Sequence, residues 1–402
     1  MHLKNIFLKG VVWRLAFYIS SFLLNIYLAN ILGASQSGPF FYLINNLAFV
    51  IQFLTMGLDI SLSYFNAKKE FKVSTLLNLT LHWSLITTLL FSILFYFSYS
   101  FDIIHYNYNT LLLILFVFSS ILTGLITALF VSSNQLVIPC LIPFICNISL
   151  LCYLYTLNGS GETHILHLYL SAYFIASILT CTILTITLLS KTKTVIKLWP
   201  IRLKKEIMTY SLNIFLFNLG VNLLLRGDIW LVRYLTNNKD LGNYIQTGKI
   251  VQLILLLPNL ASFTLLPLLT QQSASNTLLK ENVTKLSRLY FLVSLTICCF
   301  LCLTGYWLFP FVFGATFDKM YLSFIYLMPG VLLFSASYPI DTFFSSINKN
   351  NENIKAALYA LLVMVIVDLV LIPHYSIYGA AIGSSASFTL FYFYLLSRFK
   401  NS

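Results

Sequence analysis

Seven ionisable side chains stand inside long apolar runs of this 402-residue chain: Arg14, Asp59, Arg226, Asp228, Lys249, Asp341 and Asp368. Such groups can do two kinds of chemistry there. A guanidinium or ammonium in a poorly hydrated site binds anions such as phosphate. A carboxyl group takes up and releases a proton or small cation. Each charge costs about 2.5 to 3.5 kcal/mol at the centre of a spanning helix, so it should face a cavity or another charge. Arg226 and Asp228, two apart on a helix, point in different directions. Arg226 therefore needs a partner on another helix or an anionic ligand, and the sequence leaves both readings open. Arg14, near a helix end, can also snorkel to the surface. Asp341 and Asp368 lie near the ends of their spans and receive no role.

The elements that must position these groups follow from composition. The chain is 59% hydrophobic and 9% charged, against about 25% charged in soluble domains. Apolar runs long enough to cross a bilayer as helices begin near residues 11, 39, 75, 110, 136, 164, 209, 242, 286, 319, 354 and 378, each close to the ~20 residues required. Alternating strands of a membrane β-barrel are absent. The expected fold is all-α and integral to the membrane, with about 12 transmembrane helices in two six-helix lobes around a central cavity. The first run carries Arg14 and is followed by no small-residue cleavage site, so it is expected to stay as the first span.

The basic residues set an orientation. Of the 24 Lys and Arg, Arg14, Arg226 and Lys249 fall within spans and Arg233, Lys239 and Lys319 outside the cell. The remainder collect on the inner side, which places both termini in the cytoplasm. The net charge of +12 is thus a membrane-orientation signal, with no nucleic acid implied. The longest polar segment, "SKTKTVIKLWPIRLKKEIM", divides the chain into an N-terminal lobe (1–190), a basic linker lying along the inner leaflet (191–208) and a C-terminal lobe (209–402). External connections, "GASQSG", "NGSGET" and "PHYSIY", are too short to hold a soluble active site.

Shifting the chain by 204 residues lays "LANILGASQSGPFFY" on "LVRYLTNNKDLGNYI", Gly38 on Gly242 and Phe40 on Tyr244. Two parallel six-helix repeats follow, a transporter architecture with its substrate site between the halves. At 1.5 Å per residue, Arg14 lies about 5 Å and Asp59 about 11 Å from the cytoplasmic side. Arg226 lies about 25 Å up the seventh span, and Lys249 about 10 Å down the eighth from outside. Two charged layers result. Pro258 and Pro267 in the eighth span, and Pro329, Gly330 and Pro339 in the tenth, remove helix hydrogen bonds and are candidate hinges. "GAAIGSSAS" in the last span reads as close helix packing.

Seven cysteines lie in apolar segments and read as small core residues. No phosphate loop and no HExxH motif occurs, and the histidines are scattered; the His164, His167 pair sits at an outer interface. No catalytic constellation, metal site or cofactor is expected.

The ordered series "LGASQSGPFFY", "LRGDIWLVRYLTNNKDLGNYIQTGKIVQLILLLPNLASFTLLPLLT", "FVFGATF", "INKNNENIK" and "LIPHYSIYGAAIGSSAS" resembles the polysaccharide-biosynthesis flippases of the O-antigen (Wzx) type. Their superfamily also holds lipid II flippases and multidrug extruders. The resemblance implies movement of an undecaprenyl-pyrophosphate-linked oligosaccharide from the cytoplasmic to the periplasmic leaflet of the bacterial inner membrane by alternating access. A polysaccharide polymerase and a chain-length regulator are the implied associates besides membrane lipids. Arg14 matches the region where such flippases place cavity arginines, and Asp228 the acid common in their seventh span. Arg226 and Lys249 complete an expected pyrophosphate site, with Asp59 and Asp228 as pairing or ion-coupling groups for a proton or sodium gradient. The chain departs from the family pattern at Pro39 and at Asp368. The competing readings are a polymerase or membrane glycosyltransferase, which carry large periplasmic loops, and a multidrug extruder.

Overall fold

The computed structural model describes residues 2–101, 109–156, 165–192, 205–270, 277–347 and 349–401. Among them run thirteen α-helices: α1 (His2–Thr55), α2 (Leu58–Ala67), α3 (Val73–Ser100), α4 (Thr110–Ser132), α5 (Ile138–Thr156), α6 (Ile165–Thr192), α7 (Lys205–Arg226), α8 (Asp228–Leu235), α9 (Asn238–Thr270), α10 (Thr277–Phe313), α11 (Met320–Ser346), α12 (Asn350–Tyr375) and α13 (Ile377–Lys400). The basic linker falls mostly outside the described residues, as does "NGSGET". Ten helical segments are long and apolar enough to span a membrane. One of them, Val12–Thr55, has 44 residues and can cross twice. α9, with 33 residues, is long enough to supply another pass although polar residues dilute it. The described residues form an all-helical, multi-pass membrane protein, and a double crossing by Val12–Thr55 with a pass by α9 would bring its ten spans to the twelve the sequence predicts.

Two external connections are shorter than the sequence suggests. "GASQSG" was expected to be a loop, but helix continues through it and only Gly33 (φ 63°, ψ 171°) departs, in a region that is essentially glycine's alone. "PHYSIY" shrinks likewise: α12 runs through Pro373 to Tyr375, and Ser376 (φ 52°) alone turns the chain into α13. The second pass also carries an unforeseen break. Met56 (φ 48°) and Gly57 (φ 69°) are left-handed, and the Trp83 indole donates to the Leu54 carbonyl at 2.9 Å.

The described residues form two compact units. The first holds residues 1–28 and 43–215. There α4 packs on α6, α2 and α3, and α5 on α6. Polar side chains stitch these apolar helices: Asn66 donates to Ser132 (2.7 Å) and Ser133 (3.1 Å), Asn147 to Ser20 (3.2 Å) and Ser21 (2.9 Å).

The second unit holds residues 29–42 and 216–402. α13 packs on α11 and α12, and α11 on α9 and α10. Its interfaces depend on small residues. Gly330 lies against the backbone of Ser385, whose hydroxyl accepts from the Gly330 amide at 2.9 Å. The segment 29–42 joins this unit through a reciprocal contact. A Cβ on Gly38 would strike the Asn238 carbonyl, and one on Gly242 would strike the Ala34 carbonyl. Ala34 with Asn238, and Gly38 with Gly242, are each 204 residues apart. Position i meets the copy of j and j meets the copy of i, the signature of a two-fold relation. The external end is fixed by Lys319 on Asp240 (2.7 Å), Lys239 on Asp318 (2.9 Å) and Ser376 donating to Asp240 (2.7 Å).

Candidate functional site

The polar centre of the second unit starts where α7 gives way to α8. Arg226 ends one and Asp228 begins the other, with Gly227 between them. Their side chains go to different places. Arg226 donates from Nη2 to Gln252 Oε1 on α9 at 3.4 Å. One turn before Gln252, Lys249 lies within electrostatic reach of Arg226. Lys249 has no hydrogen-bond or ion-pair partner among the described residues. Both cations are half-buried. Like charges held together in a poorly solvated place repel, and an anion with several oxygens relieves that repulsion.

Asp228 turns to a second cluster. It is 3% exposed, and its Oδ2 accepts from the Ser384 hydroxyl at 2.5 Å and from the Tyr244 hydroxyl. The two hydroxyls are 3.3 Å apart. Asp368, fully buried, lies against Gly383, where any side chain would collide with its Oδ1. Consecutive residues of α13 thus seat two carboxyl groups, which interact electrostatically. Asp228 Oδ1 and both oxygens of Asp368 have no hydrogen-bond partner among the described residues. Two buried carboxylates side by side are untenable without a compensating positive charge. The donor set is all oxygen, which suits a proton or a hard cation rather than a soft transition metal.

Asp368 corrects the sequence reading, which left it near a span end without a role. α12 extends past Pro373, so the carboxyl lies two turns inside the helix. The "GSS" of the last span, read as packing alone, also supplies Ser384 to Asp228. Gln252 was not singled out, and Tyr244 entered only as the repeat partner of Phe40.

A family model described as "Polysaccharide biosynthesis protein" matches residues 165–322. Among solved structures, the lipid II flippase MurJ in an inward closed conformation superposes with a TM-score of 0.77 at 15% identity, covering 98% of this chain and 87% of that one. The MATE transporter VcmN of Vibrio cholerae in its bent form gives 0.67 at 12% identity, over 99% and 97%. A MOP-superfamily transporter from Pyrococcus furiosus, whose binding pocket has reverse polarity, gives 0.66 at 14%, over 98% and 95%. The chain has the fold of the MOP superfamily. No curated protein matches it by sequence.

The remaining expected residues are divided between the two units. Arg14, half-buried on α1, lies within electrostatic reach of Cys140 in the first unit. Asp59 stands in the first turn of α2, just past the Gly57 break, and makes no ion pair among the described residues. Asp341 accepts from Asn353 and ties α11 to α12. Pro329 and Pro339 lie within a continuous α11. Pro258 lies in α9 and is buried, and the side chain of Pro267 is outside those described.

Proposed function

We propose that this protein is a flippase that carries undecaprenyl-pyrophosphate-linked O-antigen or related polysaccharide repeat units from the cytoplasmic to the periplasmic leaflet of the bacterial inner membrane. Alternation between inward-open and outward-open states carries the head group across, with Pro258, Pro267, Pro329 and Pro339 as the bending points. The observation that carries this reading is the half-buried pair Arg226 and Lys249, two like charges on neighbouring passes. A pyrophosphate presents two or more negative charges to such a pair and gains more there than in water. Arg14, in the first unit, is the third cation assigned to the head group's passage. MurJ, named as a lipid II flippase, and the polysaccharide-biosynthesis match over 165–322 support the substrate class.

Asp228 and Asp368 supply the coupling. A proton or sodium ion on these acids, held by Tyr244 and Ser384, offsets their charge. If its affinity differs between the two states, the ion gradient biases the conformational equilibrium. The test is complementation: a host lacking the protein accumulates lipid-linked repeat units on the cytoplasmic side. Arg226→Ala fails to clear them at normal protein level, whereas Arg226→Lys clears them in part. Equal loss of folded protein and of activity in Arg226→Ala would overturn the anion-binding role and leave Arg226 a structural lock.

A further inference from the structure

The outer face of the second unit carries a feature that the pyrophosphate and ion sites do not use. An apolar groove of about 810 Å³ runs between α12 and α13, with Tyr326 of α11 at its rim. Tyr359, Leu362 and Phe393 line it with more than half of their surface exposed. Along α13 it extends from Ile382 to Tyr394, about 18 Å at 1.5 Å per residue. One end is chemically distinct. The Tyr394 ring lies tilted against that of Tyr359 (5.5 Å between centroids), and its hydroxyl donates to Glu352 at 3.2 Å. Glu352 also holds Lys355 (3.1 Å) and Arg398 (3.2 Å), and the Arg398 guanidinium lies 5.3 Å from the Tyr394 ring centre. Lys349 and Lys400 flank the same helix ends. Two cations, Lys355 and Arg398, against the single carboxylate of Glu352 close the groove at the end the charge distribution places in the cytoplasm.

We infer that this groove is the seat of the substrate's polyprenyl chain, held by its single hydrocarbon tail while the phosphate end lies at the Lys355, Arg398 cluster. The inference rests on the flippase reading above and adds a site to it. A hydrocarbon chain cannot follow its head group through a charged interior without losing its apolar surroundings. It needs a track on the lipid side, parallel to the direction of transport. The aromatic walls give flat faces to a branched, unsaturated chain, and the cation cluster gives its phosphate a counter-charge on the loading side. The first unit has a contrasting apolar groove of about 540 Å³ between α5 and α6, lined by Ile145, Leu150, Ile175 and Leu179. No comparable cation cluster closes it among the described residues, which makes it an internal control.

The full-length protein in phosphatidylcholine nanodiscs is photolabelled with a diazirine-bearing polyprenyl phosphate that carries no sugar, and the labelled peptides are mapped. Labels are expected on α12 and α13. Ala386→Trp, which fills the groove, and the exposed pair Tyr359→Ala with Phe393→Ala should each reduce labelling about tenfold. Ala176→Trp in the other groove should not. Lys355→Ala with Arg398→Ala should reduce labelling by the phosphate and not by the matching polyprenol. Equal labelling of both grooves, unchanged labelling in the groove variants, or displacement by an equal amount of phosphatidylglycerol would overturn the inference and leave an unselective lipid surface. The assay measures no transport and uses no sugar. Its failure therefore removes the tail site alone, while correct labelling with no transport of the sugar-bearing lipid removes the flippase reading alone.

Discussion

Substituting Tyr244 would tell a proton from a sodium ion at the proposed acid-pair site. Its hydroxyl is one of two that donate to Asp228 Oδ2. A hydrogen bond to a charged acceptor is worth about 1.5 to 3 kcal/mol, or about ten- to a hundredfold in affinity. In Tyr244→Phe a bound sodium ion loses a candidate ligand oxygen and binds more weakly. A proton on Asp228 gains instead, because the charged form has lost a donor. Half-saturation of transport should therefore move to higher sodium if sodium is the coupling ion, or to higher pH if a proton is. A titration of reconstituted transport reads both, and no shift in either removes Tyr244 from the site. What the sequence showed at this scale depended on contrast. Arg226, Asp228 and Lys249 are visible because a charge in an apolar run is costly and therefore conspicuous. Tyr244 and Ser384 are ordinary residues in apolar helices, and only their meeting on one carboxylate marks them. Asp368 was visible as a charge, but its burial beside Asp228 depends on α13 packing against α12, which the sequence does not show.

At the scale of elements, the contact between residues 34–38 and 238–242 is built from backbone approaching backbone. The glycines at its centre are the pair that the 204-residue offset aligns. The repeat was legible because both copies need a residue without a Cβ at the same place. That the two copies touch was not legible, since an offset carries no information about distance. The flippase reading requires this external contact to part when the protein opens outward. Gly242→Val forces a side chain into the Ala34 carbonyl, and overpacking of this kind costs about 1 to 3 kcal/mol. The cost falls on the closed arrangement and not on one in which the segments have separated. We expect Gly242→Val to increase alkylation of a cysteine placed at Ser37, which the contact buries, about tenfold, with normal membrane insertion. Unchanged alkylation in a folded variant would make the contact permanent scaffolding. The loops were harder to read than the helices. A glycine or serine can turn one membrane helix into the next within a single residue, so "GASQSG" and "PHYSIY" look like loops by composition while most of their residues stay helical.

At the scale of the second unit, the cations proposed to bind the anion, Arg226 and Lys249, and the acids proposed to hold an ion, Asp228 and Asp368, are joined by one short element. Gly227 alone separates Arg226 from Asp228, so a shift of α8 relative to α7 moves one site with the other. A head group leaving Arg226 and Lys249 leaves two cations together, and an ion leaving Asp228 and Asp368 leaves two carboxylates together. Either vacancy is costly in a poorly solvated interior. The molecule is most easily reset when the two costs offset each other, which is a coupling free energy between distinct sites. Groups that act as one unit are not additive when removed. Asp228→Asn and Asp368→Asn should therefore each flatten the dependence of transport on the ion gradient, and the double variant should be little worse than either alone. Arg226→Lys, by contrast, should weaken transport of the lipid-linked sugar while preserving the gradient dependence of what remains. Vesicles with imposed proton or sodium gradients provide the measurement. Additive losses from the two aspartates, or a gradient dependence that survives the double substitution, would show that the acid pair holds the fold together and that coupling lies elsewhere in the chain.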